Sequence, residues 1–465
     1  MMRLSQAVLL VIASAGLSGC TVSWSNQSAP SRWTAGFWFW QGSSIDPAYS
    51  GQELDVLFVQ VGTIRKETMP GYLRTAGNAA EQWYAYGELP SEIPPAREYW
   101  LVYRYANQGV PDLQVASKLA TQISRLQADA RQRHLNVVGL QLDIDSPTSA
   151  LPQYAGFIRQ VRMALPKGVQ VSITALLDWF RSGTAVGDVI AQADEFVPQF
   201  YDLGDPAADD QAAIAARIDA ARWEPVFNRF RKRFRIGISS FGRARVIPHE
   251  PPSQSPYRRL VFYGDLRPLD VATNPAFQLQ TSRNAADETV LGYRAIRKVH
   301  VGYERIDAGD VVQFVISTPD AIRAAVQSAR LIHGQMAGIV FFRWPSSRED
   351  WAMQPDEVLE AAGVAAAAGG RQRNRIQVMP GDCAAVSCVD VYLDSAGPLV
   401  PQPVRYRIRA SVPLEYFLPE RNMPVHLTGA SELELSLPPY CSRGHLYLGR
   451  AVSLQRAEFT VGEEQ

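Results

Sequence analysis

Eight short, almost continuously apolar runs recur between residues 35 and 342 and are separated by longer polar or helical segments. Runs of this kind are typical of strands that are buried on both faces, as in a parallel sheet covered by helices. They therefore restrict the chain to an α/β fold. The runs are Ala35–Trp40, Leu54–Val61, Tyr99–Tyr105, Asn136–Asp145, Val169–Leu176, Glu195–Tyr201, Phe234–Ser239 and Gly338–Phe342.

The segments between these runs have helical periodicity where they can be tested. Apolar residues recur at helical spacing from Leu113 to Ala130 and again from Phe157 to Leu165, and two further helices are predicted over residues 319–332 and 355–368. Eight strands joined by helices predict a TIM (β/α)8-type barrel. The competing doubly wound sheet usually has fewer strands and a Gly-rich first turn, which this sequence lacks.

The composition and pattern of the sequence change at two further places. A polar stretch rich in Pro, Asn and Arg, at about residues 246–315, lies between the seventh and eighth runs and predicts an insertion on the catalytic face. From residue 371 short strand-like runs alternate with Pro and Gly, which predicts a small C-terminal all-β domain over 371–465. The barrel is thus expected over 33–370, with a boundary at Gly369–Gln372.

The first 32 residues have the features of an export signal. Residues 1–19 contain Arg3 and the apolar run Ala7–Leu17, which is too short to cross a bilayer. Leu17–Cys20 resembles a bacterial lipobox, which implies cleavage before Cys20 and lipid modification of its thiol. An ordinary secretory signal with a chance Cys is the alternative. Residues 20–32 are expected to be a polar tether, and Thr21, which is not Asp, favours an outer-membrane anchor facing the periplasm.

Composition excludes several classes of function. Lys plus Arg and Asp plus Glu both number 46, so the chain lacks the basic excess that nucleic-acid binding requires. The six His are scattered, and we expect neither a metal nor a cofactor.

In an oxidising compartment two of Cys383, Cys388 and Cys441 can pair, and the sequence leaves open which two.

Two acids stand at the end of the fourth run. Strand alternation places Asp143 and Asp145 on one face, about 6.6 Å apart along the strand. Two carboxyls on one buried face repel each other, and the pKa of one of them rises, which keeps it protonated for general-acid chemistry. The alternative interpretation is a pair of strand-end acids that cap the next helix or bind a cation.

The residues around this pair resemble a known signature. Val138–Pro147 is similar to the fourth-strand motif DGxDxDxExP of family 18 glycoside hydrolases, the chitinases and their relatives. Three further matches follow in the family's order, at Gln199–Asp202, Gly237–Arg243 and Gly338–Phe342. The resemblance covers roughly residues 33–370, and the chain also resembles an uncharacterised group of bacterial proteins known only as a domain of unknown function.

The resemblance assigns roles to the matched positions. Asp145 stands where the family has its catalytic Glu, Asp143 where it has the preceding Asp, and Tyr201 and Asp202 where the family lines its sugar pocket. In the family the N-acetyl group of the substrate is the nucleophile. Gln141 replaces a second acid and is expected at the substrate.

The sequence also departs from the family pattern. Val138 replaces the first acid of the signature, and Asp145 is one methylene shorter than Glu, which draws the proton donor back by about 1.5 Å. A misplacement of about 1 Å can cost roughly a hundredfold in rate. In an alternative register, shifted by two residues, Pro147 occupies the acid position and the site is inactive.

Aromatic and cationic residues lie at or near the predicted strand ends. Aromatic faces there stack on sugar rings or pack the barrel, and we expect sugar contacts. The two Arg are expected to bind an anionic group of the substrate or to neutralise the nearby acids. The aromatic candidates are Trp38, Trp40, Trp179, Phe342 and Trp344, and the cationic candidates are Arg104 and Arg343.

Together these features predict a lipid-anchored protein of the cell envelope that hydrolyses or processes an envelope or exported polysaccharide. Asp145 is expected to be the general acid, which Asp143 holds and tunes, while Tyr201 and Asp202 stabilise the reacting sugar. The alternative is a non-catalytic glycan-binding or envelope-assembly protein that kept the cleft and lost the acid.

Overall fold

The protein is described from a computed structural model. The signal peptide, the tether with Cys20, the boundary at Gly369–Gln372, Asp202 and Cys441 lie outside the described residues. Within the part of the chain that the structure describes, no helix combines the length and apolarity needed to cross a membrane. The described residues are 33–46, 49–68, 81–107, 109–201, 215, 217–249, 266–284, 288–302, 304–346, 349, 352–365, 375–383, 387–395, 404–420, 423–437 and 444–464.

The described residues between 33 and 239 contain eight strands and four α-helices. The strands are β1 (Thr34–Phe39), β2 (Leu54–Thr68), β3 (Glu81–Gly87), β4 (Ala96–Tyr105), β5 (Val137–Ile144), β6 (Gln170–Ala175), β7 (Glu195–Phe200) and β8 (Arg233–Ser239). The helices are α1 (Val115–Gln132), α2 (Leu151–Ala164), α3 (Val186–Gln192) and α4 (Ala220–Asn228).

The segment that follows β8 contains β9 (Arg243–Ile247), α5 (Pro268–Ala272), β10 (Phe277–Arg283), β11 (Thr289–Ala295), β12 (Val299–Val301), β13 (Glu304–Ile306) and β14 (Val311–Ile316). It forms a separate antiparallel sheet with the order β10-β11-β14-β9 and a small hairpin of β12 and β13. The chain then returns to the barrel with α6 (Pro319–Arg330), β15 (Met336–Phe342) and α7 (Pro355–Ala361).

Eight parallel strands close into a barrel. Their order is β1-β15-β8-β7-β6-β5-β4-β2, and β2 pairs with β1 to complete the ring. Each of these strands overlaps one of the eight apolar runs, so the predicted TIM-type fold is confirmed. Side chains that alternate along the strands pack outward against the helices or inward on the barrel axis, where Trp38, Phe58 and Trp100 fill the interior.

One feature of the barrel was not predicted from the sequence. β2 continues past its barrel neighbours to Thr68 and pairs with the antiparallel strand β3 to form a hairpin. Gly87 ends β3 where a Cβ atom would lie 2.3 Å from the Tyr103 hydroxyl oxygen. Only glycine allows the hairpin to approach the barrel this closely.

The C-terminal residues form the predicted all-β region. Its strands are β16 (Arg375–Pro380), β17 (Ser387–Ser395), β18 (Val404–Ala410), β19 (Tyr416–Pro419), β20 (Val425–Gly429), β21 (Glu432–Leu437), β22 (Gly444–Ser453) and β23 (Phe459–Glu464). They form two four-stranded sheets with the orders β16-β17-β22-β19 and β20-β21-β18-β23. Val391, Ile408 and Leu435 are fully buried in a core that also contains Leu269 of α5. A disulfide joins Cys383 to Cys388.

Candidate functional site

The two predicted acids lie at the carboxyl end of β5, the end of a TIM-type barrel at which active sites are found. Asp143 faces the barrel interior and is only 4% exposed, whereas half of the Asp145 side chain is exposed. The Thr174 hydroxyl at the end of β6 donates a hydrogen bond of 2.9 Å to Oδ1 of Asp143. The pair therefore consists of a buried carboxyl behind one that solvent can reach.

One cation contacts both acids. Arg104 lies beside Asp143 in the pairing of β4 with β5. Its Nη1 atom is 3.7 Å from Oδ2 of Asp143, and its Nη2 atom is 3.9 Å from Oδ2 of Asp145. Its guanidinium also lies over the Trp40 ring, 5.5 Å from the centroid. Arg104 thus neutralises part of the charge of the pair, one of the two roles expected from the sequence.

Burial makes both carboxyls harder to ionise. Desolvation raises the pKa of Asp143 to about 6, the negative charge of Asp145 adds to the rise, and Arg104 and Thr174 oppose it. Desolvation also raises the pKa of Asp145, and Arg104 opposes that shift. Because the two groups interact, they titrate as a pair, and the pair retains a proton closer to neutral pH than an isolated Asp does.

A tyrosine behind the acids was not identified from the sequence. Tyr154, on α2, is fully buried, and its hydroxyl has no hydrogen-bond partner among the described residues. Burial, followed by the charges of Asp143 and Asp145, raises its pKa well above the usual value. In the sequence Tyr154 is one apolar position of an amphipathic helix, so no local pattern distinguishes it.

An aromatic cluster lies next to the acids, with Phe342 at its centre. Tyr201 stacks on Phe342 with ring centroids 4.8 Å apart and an interplanar angle of 13°. Trp38, Trp40 and Phe241 meet the same ring edge-on at 6.0, 5.6 and 5.4 Å. Phe342, Tyr201 and Trp40 are half-buried, so parts of their surfaces remain open at the mouth.

Two predicted contact residues lie one layer deeper. The Trp38 indole donates a 2.6 Å hydrogen bond to Oε1 of Gln141, whose amide donates in turn to the Ser172 hydroxyl at 3.1 Å. Trp38 is 1% exposed, and Gln141 and Ser172 are fully buried. This chain of hydrogen bonds crosses the barrel beneath the acids, so Gln141 supports the site from below in this conformation.

Three other predicted contact residues are directed away from the mouth. The Trp179 indole donates to the Ser146 carbonyl at 2.8 Å, and the Trp344 indole donates to the Ser44 carbonyl at 2.9 Å. The Arg343 guanidinium forms a buried ion pair with Glu349. The two Trp rings are at most 1% exposed and have no face open to a sugar, so the predicted contacts would require them to become exposed.

The site therefore combines two acids, a bridging cation and open aromatic surface. Among the described residues no group of three or more His, Cys, Asp or Glu is placed to hold a metal ion. Such an arrangement can transfer a proton to a bound molecule and stack on a ring of that molecule.

Comparisons with known proteins find one family model and distantly similar solved structures. A family model described as a domain of unknown function (DUF3142) matches residues 100–259, and a search among curated proteins finds no match. The structure is similar to chitinase ChiA74 from Bacillus thuringiensis, with a TM-score of 0.43 and 10% identity, covering 93% of this chain and 100% of that chain.

Two further solved structures of family 18 are similar to the chain. A chitinase from Chromobacterium violaceum has a TM-score of 0.42 at 10% identity, covering 93% of this chain and 90% of that chain. An N-acetylglucosaminidase from Paenibacillus barengoltzii has a TM-score of 0.42 at 14% identity, covering 71% of this chain and 98% of that chain. Likeness this distant assigns no activity, which has to be inferred from the site itself.

Proposed function

We propose that this protein is a lipid-anchored glycoside hydrolase that cleaves an envelope or exported polysaccharide with the Asp143–Asp145 pair. The observation that carries the proposal is the position of the pair, in which a buried carboxyl with a pKa near 6 stands directly behind an accessible carboxyl at the barrel mouth. Glycoside hydrolysis needs a carboxylic acid that is still protonated near neutral pH.

In this mechanism Asp145 donates the proton to the glycosidic oxygen, because its side chain is the accessible one of the two. Asp143 holds Asp145 in place, and because the two carboxyls titrate as a pair, the pair keeps a proton closer to neutral pH than an isolated Asp does. Arg104 limits that effect by neutralising part of the negative charge. The resemblance to family 18 makes an N-acetylated, β-linked amino sugar the preferred substrate, because its own acetamido group would attack the anomeric carbon.

The aromatic cluster would bind the reacting sugar. Phe342 and Trp40 offer half-buried ring surface on which a sugar ring can stack, and Tyr201 packs on Phe342. Tyr201 and Asp202 are proposed to stabilise the reacting sugar through hydrogen bonds.

The contacts of Arg104 favour a second candidate function. An ion pair with both acids stabilises their charged forms, and a charged Asp145 has no proton to donate. The second candidate is a non-catalytic protein that binds glycans or assists envelope assembly with the same cleft.

Hydrolysis assays separate the two functions. We expect the wild type to cleave oligomers in a panel of β-linked amino sugars and envelope polysaccharides, and Asp145→Asn to lower turnover by about 10²- to 10⁴-fold while glycan binding survives. Asp188→Asn, at an exposed position on α3, is the matched control and should leave turnover unchanged. Turnover that is insensitive to Asp145→Asn contradicts the mechanism, and tight binding without turnover in any variant supports the second candidate.

The cellular location is part of the proposal. We infer from the lipobox-like Leu17–Cys20 that the mature chain begins at a lipid-modified Cys20, because several acyl chains anchor a protein stably where one is marginal. We expect an outer-membrane anchor facing the periplasm. Cys20→Ala should abolish acyl labelling and leave the signal uncleaved by the lipoprotein peptidase, and labelling that persists in this variant would contradict the anchor.

A further inference from the structure

The amino end of the barrel, opposite the acid site, has a basic surface. Five loops at this end lead into β5, β6, β7, β8 and β15, and we call them the basic loops. They span residues 133–136, 165–169, 193–194, 229–232 and 331–335. They contain five Lys or Arg and a single acid, Asp194. The five cations are Arg133, Lys167, Arg229, Arg231 and Lys232.

The helices that lead into the basic loops add to the positive charge. Their last turns contain Arg131, Arg162 and Arg330 against Asp129. Asp194 pairs with Arg162 at 2.7 Å, and a carboxylate oxygen of Glu224 on α4 accepts a hydrogen bond of 3.1 Å from the His333 amide. With Glu224 included, the loops and last turns hold eight Lys or Arg and three acids. The surface therefore keeps a clear excess of positive charge.

Acids outnumber cations on other parts of the barrel. The side of the amino end that β2 and β4 form carries Glu53, Asp55, Glu92 and Arg97. At the opposite end, the loops after β4, β5 and β6 carry Asp112, Asp145, Asp178 and Arg181. An anionic surface is therefore attracted to the basic loops and not to the barrel mouth.

Two large apolar side chains are exposed among these cations. Met163, in the last turn of α2, is 75% exposed, and Leu331, which directly follows α6, is 62% exposed. Proteins that bind at a membrane surface combine such groups, since Lys and Arg attract anionic head groups while apolar side chains enter the boundary with the acyl chains. The composition of this surface thus fits a lipid bilayer.

The predicted tether joins the barrel at the same end. Residues 20–32 lead directly into Trp33 and β1, and parallel barrel strands all begin at the amino end. The Arg330 guanidinium, in the helix before the last basic loop, lies 4.5 Å from the centroid of the Trp33 ring. An anchor at Cys20 would therefore hold the basic loops, and not the acid site, next to the membrane.

We propose that the basic loops dock on an anionic phospholipid membrane, with Met163 and Leu331 among the head groups and the acid site turned away from the bilayer. The choice of a membrane rests on the proposed lipid anchor. The helix α1 runs along the barrel and has 18 residues, or about 27 Å, so the mouth lies roughly that far from the bilayer. This orientation favours glycans that extend away from the membrane over sugars that are still linked to a lipid in it.

Cosedimentation with vesicles tests the docking surface without the anchor. The mature protein with Cys20→Ser carries no acyl chain and should bind vesicles of equal parts phosphatidylcholine and phosphatidylglycerol more tightly than phosphatidylcholine alone. Binding should weaken as the salt concentration rises, because ions screen exposed charges. Lys167→Gln, Arg229→Gln and Arg231→Gln together should raise the Kd by at least about tenfold, since each cation near an anionic membrane improves affinity by about fivefold.

A matched triple variant distinguishes this surface from the total charge of the protein. Arg297→Gln, Lys298→Gln and Arg456→Gln also remove two Arg and one Lys, at exposed positions outside the barrel, and should leave the Kd unchanged. Circular dichroism checks that every variant is folded. Equal losses in the two triple variants, or no preference of the parent for anionic vesicles, would overturn the docking surface.

The apolar side chains distinguish a membrane from a soluble polyanion. Met163→Gln with Leu331→Gln keeps every charge and should weaken binding to anionic vesicles severalfold, while binding to dextran sulfate stays the same. Dextran sulfate that binds as tightly as the vesicles, or vesicle binding that is insensitive to this double variant, would overturn the membrane as the partner.

These measurements are independent of the other proposals. If the unacylated protein binds anionic vesicles through the basic loops but Cys20 carries no lipid in cells, the anchor fails and the docking surface stands. If Cys20 is acylated but the unacylated protein ignores the vesicles, the docking surface fails and the anchor stands. Neither result depends on turnover of a glycan, so the hydrolase proposal is tested separately.

Discussion

The two ends of the barrel carry charged clusters that are built differently. At the amino end Glu195 and Arg235 form an ion pair in which both side chains are at most 1% exposed, and Glu98 and Arg233 add a second charge of each sign. At the carboxyl end two acids share one guanidinium at 3.7 and 3.9 Å. The first cluster is balanced and closely paired, whereas the second has an excess of negative charge.

This difference separates a structural role from a chemical one. In the amino-end cluster each buried charge has an opposite charge beside it, so the cluster fixes the barrel. A buried carboxyl with too little positive charge beside it lowers its energy by taking up a proton. The excess of negative charge at the carboxyl end thus destabilises the fold when both carboxyls are ionised. It favours the protonated carboxyl that the proposed chemistry needs.

Breaking the amino-end pair should have the largest effect on stability. Arg235→Met leaves Glu195 buried with a weaker set of partners, and removing one member of a buried pair typically costs about 3–5 kcal/mol. We expect a loss of that size in the free energy of unfolding, measured by urea denaturation. The matched control is Arg162→Met, which breaks a half-exposed pair with Asp194 and should cost less than about 1 kcal/mol. Equal losses in the two variants would contradict the structural role.

At the carboxyl end, removing a charge should have the opposite effect and stabilise the fold at neutral pH. The pKa of Asp143 is raised from 3.8 to about 6, so its contribution to the free energy of unfolding is fully present below about pH 4 and is lost as the pH rises through about 6. Asp143→Asn removes this loss and still accepts the Thr174 hydrogen bond. The wild type should lose about 1–3 kcal/mol more than the variant between pH 4 and pH 7, and parallel stability curves would exclude a raised pKa.

Arg104 contacts both acids at the carboxyl end and should tune their ionisation. Arg104→Met keeps the side-chain stem on Trp40 but removes the charge that opposes the rise in both pKa values. The basic limb of the pH–rate profile, which reports loss of the protonated acid, should move upward by about one pH unit. An unchanged profile would show that Arg104 does not tune the pair.

The sequence predicted the eight barrel strands because each is apolar along both faces, and this pattern is rare outside buried parallel strands. It missed the β2–β3 hairpin because residues 62–68 are largely polar, with Arg65, Lys66 and Glu67, and read as a loop. Hairpin pairing here depends on Gly87 fitting against Tyr103, a tertiary contact that has no local pattern.

The candidate site was predicted in part for similar reasons. Alternation along one strand was enough to place Asp143 and Asp145 on the same face. The partners Thr174 and Tyr154 come from other elements, and their approach depends on closure of the barrel. Trp179 and Trp344 differ from expectation because proximity to a strand end does not determine the direction in which a ring points.

The most direct test of the account is the titration of the acid pair itself. Carbon-13 NMR of aspartate carboxyls, assigned with Asp143→Asn and Asp145→Asn, reports the ionisation of each group. The account predicts a transition with an apparent pKa of about 6 that disappears in Asp143→Asn and shifts downward in Asp145→Asn, since the charge of Asp145 contributes to it. If both carboxyls instead titrate with pKa values of about 4, as ordinary aspartates do, the barrel mouth holds no proton near neutral pH and the central claim is contradicted.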